Sequence, residues 1–218
     1  MCAEDRALAA RSGNSSGECV LGGGRYLFIP RGPGGARLPV AADVPTGWTG
    51  WSGDAVIGPG NVVVVFQQAD GLFRDPCAWG RTATWLRWTF GQPGDVQVGP
   101  AAIDLVNALQ ENSSYTSTSP IPVLLGGHQG YELEIRFPDN VQLDSCDGDG
   151  VLAGSHYYEI FSGTGVFPYF FEEGSSMHLF IVDVGATRVI ATILTPDAAP
   201  LAGQEAARAI IESADFTP

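Results

Sequence analysis

The segment Met177–Leu194 restricts what this chain can fold into more than any other. Two apolar runs, Met177–Val184 and Thr187–Leu194, flank Gly185-Ala186. A glycine at the first of two loop positions fits a type II′ turn, which joins antiparallel strands. Both runs are apolar at odd and even positions alike, and a strand of that kind buries both faces. The hairpin is therefore expected at the centre of a sheet, under a helix. That helix is expected at Ala202–Ser213, with Ala206, Ala207, Ile210 and Ile211 facing in. Asp215-Phe216 then ends the chain against the sheet.

Tyr131–Phe137 behaves differently. Tyr131, Leu133, Ile135 and Phe137 alternate with Glu132, Glu134 and Arg136, the period of a strand with one wet face. It pairs with Val123–Leu125 around Gly126-Gly127. Further strands are expected at Arg25–Pro30, Asp54–Ile57, Asn61–Gln68 and Tyr157–Phe161. Arg37–Val40 is another, weakened by Pro39 and so placed at an edge. Pro100 opens a second helix, where its missing N–H costs nothing. Ala102, Ile103, Val106 and Leu109 form its buried face, and Asn112–Pro120 is a polar loop after it. Residues 1–24, rich in Gly and Ser, are expected to be a flexible tail or linker. Residues 25–218 are expected to form a single domain. The sum is an α+β fold: an antiparallel sheet of six to eight strands packed with two helices, at about 100–111 and 202–213. The chain lacks regular β-α alternation, which argues against a Rossmann fold or barrel.

Charge narrows the partners. The 218 residues contain no lysine, and their 11 arginines face 24 acidic side chains, a net charge of -13. Such an excess of acid opposes binding to nucleic acid and to anionic lipid surfaces. The apolar run Asn61–Phe66 is too short to span a bilayer. Met1–Arg6 lacks the apolar stretch of a signal peptide, which leaves a cytoplasmic chain or one whose leader is gone. The four cysteines, Cys2, Cys19, Cys77 and Cys146, permit three pairings. None lies in a CxxC, and a disulfide reading outweighs a metal reading. Cys77–Cys146 is the favoured bridge, joining two turn-rich segments, and it implies an oxidising compartment. Cys2 and Cys19 pair within the tail or stay free, or Cys2 carries a lipid.

An ordered set of motifs runs through the chain. Val44-Pro45-Thr46-Gly47-Trp48 is followed by Asp75-Pro76-Cys77, then Val98-Gly99-Pro100 before Asp104-Leu105-Val106. Gly126-Gly127, Gly130, the Cys146 loop and Tyr157-Tyr158 come next, and Leu179–Gly185 and Ile211–Phe216 close the set. In this order they resemble the extracytoplasmic domain of uncharacterised actinobacterial lipoproteins and membrane-anchored proteins, over roughly residues 26–217. That domain is similar in architecture to the PsbP-like α/β sandwich. The resemblance implies a non-enzymatic domain outside the membrane, anchored by a lipid or a membrane segment that these residues do not contain. It also supports the Cys77–Cys146 bridge. The sequence departs from the family at Tyr131, where a basic residue is usual, and at Phe180, where Trp is common.

Gly126-Gly127-His128-Gln129-Gly130 lacks the serine of a nucleophile elbow, and a turn explains its glycines. His128, His156 and His178 are not spaced as metal ligands. Asp139, Asp144, Asp147 and Asp149 raise calcium, but the loop misses the EF-hand spacing. No metal or cofactor is therefore expected. Trp79, Arg81, Trp85, Arg87 and Trp88 form the richest candidate binding stretch, because aromatics beside Arg are common at partner surfaces. Phe167, Tyr169 and Phe170 form a second, as a hydrophobic lip or a covered loop. Trp48 and Trp51 read as core or corner packing. The expected function is an extracytoplasmic binding or sensor domain for a protein partner or a small apolar ligand. Its alternatives are a hydrolase using Glu132 and Glu134, and a structural envelope protein.

Overall fold

The computed structural model describes residues 19–30, 38–51, 53–79, 95–139, 141–147, 158–162 and 174–217. In chain order they form β1 (Cys19–Val20), β2 (Gly24–Phe28), β3 (Val40–Val44), β4 (Thr49–Trp51), β5 (Ala55–Ile57), β6 (Val63–Gln67), β7 (Gly71–Leu72), β8 (Val96–Gln97) and α1 (Ala102–Glu111). There follow β9 (Thr116–Ser117), β10 (Ile121–Leu125), β11 (His128–Arg136), β12 (Phe161–Ser162), β13 (Ser176–Val184), β14 (Thr187–Thr195) and α2 (Leu201–Glu212). Among the described residues this is an α+β fold of antiparallel strands and two helices.

The main sheet has the order β1-β4-β5-β6-β14-β13-β11-β10, and β9 pairs with the far end of β11. The β13–β14 hairpin is central, as its two-faced apolar pattern predicts. Gly185 takes φ 63° while Ala186 does not enter the positive region, consistent with a type II′ turn. Leu179 and Ile181 point to one side of the sheet with Leu133, Met177 and Ile190, where Leu105, Val106 and Leu109 of α1 cover them. Phe180 and Val182 point to the other side with Val64, Phe66 and Ile193, under Ala207, Ile210 and Ile211 of α2. The β2–β3 pair adds Phe28, Val40 and Ala42 to this second layer. Burying one such aliphatic side chain contributes roughly 2 kcal/mol, so both layers hold the sheet between them.

Two glycines are fixed by close approach. Gly126 and Gly127, at φ 55° and 81°, form the tight turn between β10 and β11. A Cβ on Gly126 would press on the Phe216 ring and the Ala214 carbonyl, both at 2.7 Å. In β11, a Cβ on Gly130 would overlap the main chain of Ile181 and Val182.

Several expectations need correction. The tail was expected to reach residue 24, but Cys19 and Val20 pair with β4, and Leu21 is buried beside Trp48. β3 begins after Pro39 rather than containing it, since a proline cannot donate to the ladder. On α1, Leu105 takes the inward place expected of Ile103, which is 37% exposed. The loop after α1 contains the short strand β9. The outward face of β11 is only partly wet: Arg208 of α2 covers Glu132, whose side chain is 14% exposed, while Arg136 stays 73% exposed.

Candidate functional site

The turn Asp75–Ala78 is built before any longer-range contact. The Asp75 carboxylate accepts the Cys77 N–H at 3.0 Å, and its carbonyl accepts the Ala78 N–H at 3.0 Å. This local bonding is what Asp before a turn does best. Cys77 is joined to Cys146 across 69 residues, as the sequence suggested. The Cys77 carbonyl accepts the Asp147 N–H at 2.8 Å, so a main-chain bond joins the two segments beside the bridge.

The stretch Tyr158–Ser162 runs beside this turn. Glu159 donates its N–H to the Pro76 carbonyl at 2.8 Å, and Phe73 donates to Ile160 at 2.9 Å. β12 then pairs with β7, and β7 with β8, giving a small second sheet. The Tyr158 hydroxyl donates to the Ser114 carbonyl at 2.6 Å, and its ring stands edge-on to Phe137. Burial, with Asp75 as a lesser cause, pushes the Tyr158 hydroxyl up to about 12. Burial raises Tyr115 as well, with Tyr158 beside it.

Glu159 is the anomaly of this corner. It is 7% exposed, and its Oε1 has no hydrogen-bond partner among the described residues. Desolvation pushes its carboxyl well above the ordinary carboxylate range, and a bond from the Phe161 N–H only partly offsets that. Burial thus disfavours the ionised form of this side chain.

Arg188 forms a second polar node, at the foot of α1. It faces Asp183 across the β13–β14 hairpin. Its guanidinium donates to the carbonyls of Gly99 at 2.6 Å, Ala101 at 3.1 Å and Ala69 at 2.6 Å. Asp183 accepts the Ala102 N–H at 2.8 Å, and Asp104 accepts the Ala101 N–H at 3.0 Å. These carboxylates satisfy N–H groups that the first turn of a helix leaves free. Burial raises the Asp70 carboxyl, and Arg188 partly offsets it. The geometry positions a helix; it leaves no donor fork open to a substrate.

The carboxylate pair of the hydrolase alternative is engaged elsewhere. Glu132 accepts two bonds from Arg208, at 2.7 and 2.9 Å, and these hold its carboxyl below the usual range. Glu134 pairs with Arg136 at 3.2 Å and lies 3.7 Å from His178. The two glutamates are successive outward positions of one strand, roughly 7 Å apart at Cα. Glu132 thus has the opposite of the raised carboxyl that a general acid needs.

Trp79 is half-buried beside the disulfide turn. Arg81, Trp85, Arg87 and Trp88 lie outside the described residues, as do Phe167, Tyr169 and Phe170. Trp48 is a core residue at 2% exposure, and Trp51 packs partly buried on the α1 side. His128 sits in the first turn-flanking position of β11, its Nδ1 3.2 Å from the Asp183 carbonyl and its ring edge-on to Phe216. Asp149 of the calcium loop is outside the described residues. Among those described, no three His, Cys, Asp or Glu side chains come together as a cation cradle.

Glu159 and Arg188 went unread in the sequence. Each is a lone charge inside an apolar run, Tyr157–Phe161 and Thr187–Leu194, and that is the signal that could have found them. No protein-family model matches the chain, and no curated protein sequence matches it.

Proposed function

We propose that this chain is a non-enzymatic extracytoplasmic domain that binds a protein partner or a small apolar ligand. The observation that carries the reading is the disulfide-tied corner at Cys77. Trp79 follows it by two residues, and the neighbouring small sheet holds Ser162 beside Gly71 and Gly71 beside Gln97. β12, which leads into residues 163–173, and β8, which follows residues 80–94, thereby flank β7 in one small sheet. Aromatic and arginine side chains on a rigid base lose little freedom on binding. The contacting residues in this reading are Trp79, Arg81, Trp85, Arg87, Trp88, Phe167, Tyr169 and Phe170.

The same bridge supports the compartment in this reading. A disulfide persists outside the reducing cytosol, and among the described residues no helix is long and apolar enough to cross a membrane. The proposed setting is the cell envelope or the medium of an actinobacterium, with a lipid or membrane anchor. The engagement of Glu132 by Arg208 speaks against the hydrolase.

Titration with an apolar fluorescent dye such as bis-ANS tests the site. Binding by the parent should weaken at least tenfold in Trp79→Ala and in Trp85→Ala/Trp88→Ala. Unchanged dye affinity in these variants overturns the aromatic site. Ester turnover lost in Glu132→Gln would replace it with the enzyme.

A further inference from the structure

The main sheet ends at β10, and among the described residues no strand pairs with its outer side. Its register against β11 places Pro122 opposite Tyr131, between the pairs Ile121–Glu132 and Val123–Gly130. A proline has no N–H, so the Pro122–Tyr131 pair cannot exchange hydrogen bonds. Antiparallel pairs alternate, so Ile121, Val123 and Leu125 aim their main-chain groups at β11. Pro122 and Leu124 aim theirs outward. Pro120 stands immediately before the strand and likewise has no N–H to offer an incoming chain.

The outer edge therefore offers carbonyls but a single strand N–H, that of Leu124. An added strand needs donors and acceptors in alternation. The side chains give the opposite signal: Ile121 is 61% exposed and Leu124 is 70% exposed. An apolar edge of this kind recruits other strands unless something blunts it.

We propose that Pro120 and Pro122 close this edge to strand addition, and that replacing both lets a second copy of this chain pair along β10. Leu124 supplies the centre of that pairing, because its N–H and carbonyl can be exchanged with those of its two-fold mate. The net charge of -13 on each copy opposes the approach, so association in the variant should grow with added salt.

Sedimentation velocity on Pro120→Thr/Pro122→Thr tests this. The parent is expected to sediment as a monomer at all concentrations, and the variant to shift at least tenfold towards dimer or larger species over the same range. Adding Leu124→Lys should restore the monomer. Should the double variant fail to fold, Pro122→Thr alone carries the same expectation with weaker association. A folded variant that stays monomeric overturns the proposal. So does slow amide exchange at Leu124 in the parent, since an outward N–H must exchange fast between slow Val123 and Leu125.

Discussion

Arg208 grips Glu132 with two nitrogens, Nη1 on Oε1 at 2.7 Å and Nη2 on Oε2 at 2.9 Å, and so ties α2 to β11. Its Nε reaches Glu212 at 2.9 Å, and the guanidinium lies 5.3 Å from the Phe180 ring centroid. Bidentate geometry on a mostly covered carboxylate makes this pair worth more than a surface ion pair. Arg208→Leu should destabilise the fold by about 2 kcal/mol, because Glu132 is left without its donor. The difference should depend on pH. Hydrogen bonding from Arg208 lowers the Glu132 carboxyl from its ordinary value of 4.5, so the contribution is present above that value. It is lost as the pH falls through the lowered folded value. Urea unfolding of both proteins at pH 7 and pH 3 checks this; an equal gap at both would refute it.

Arg188 gives a sharper expectation. Arg188→Met keeps the apolar stem but abandons the carbonyls of Gly99, Ala101 and Ala69. It also leaves Asp183 and Asp104 without the cation that balances them. The cost should be about 3 kcal/mol, because these carbonyls lose a charged donor. Arg188→Lys should fall between, since an ammonium cannot fork to three carbonyls. Amide exchange should localise the damage to the first turn of α1. A variant with parental exchange there would show that the helix start is held by something else.

The disulfide closes a loop of 69 residues. The chain-entropy model assigns such a loop about 4 kcal/mol. Cys77→Ala/Cys146→Ala should therefore unfold at a lower urea concentration by an amount equal to ΔΔG divided by the slope. The parent should fall towards that midpoint on full reduction, and the double variant should respond far less to reductant. A parent insensitive to reduction would mean the bridge does not form.

The central layers were legible because their patterns are local. The two-faced apolar runs of β13 and β14, and the spacing of Val106, Leu109, Ala207 and Ile210, follow directly from how strands and helices bury side chains. What crosses the chain was harder. Glu132 reads as a wet residue on its own strand, and only the docking of α2, 76 residues away, covers it. Ile103 and Leu105 are equally apolar, and the approach of the sheet decided which one turned in. Arg188 has no sequence neighbour among the carbonyls it holds. Of the candidate site, the Cys77–Cys146 bridge was readable. Glu159 was hidden in plain view as the one charge in Tyr157–Phe161.

Glu159 supplies the last prediction. Its carboxyl is buried, accepts the Phe161 N–H, and is pushed by desolvation well above 4.5. The folded chain therefore holds a proton that the unfolded chain releases near 4.5. A raised acid of this kind contributes stability that is fully present below the unfolded value and is lost as the pH rises towards the folded one. Within that window each pH unit costs about 1.4 kcal/mol. Glu159→Gln keeps the shape, can donate as the protonated acid does, and cannot ionise. The variant should match the parent near pH 4 and exceed it at pH 8, by roughly 2–4 °C in Tm for each kcal/mol recovered. Thermal unfolding of both proteins between pH 4 and pH 9 gives the two curves. Parallel curves, with the glutamine protein no more stable at the alkaline end, would mean that Glu159 is charged in the folded state and that a donor outside the described residues holds it there.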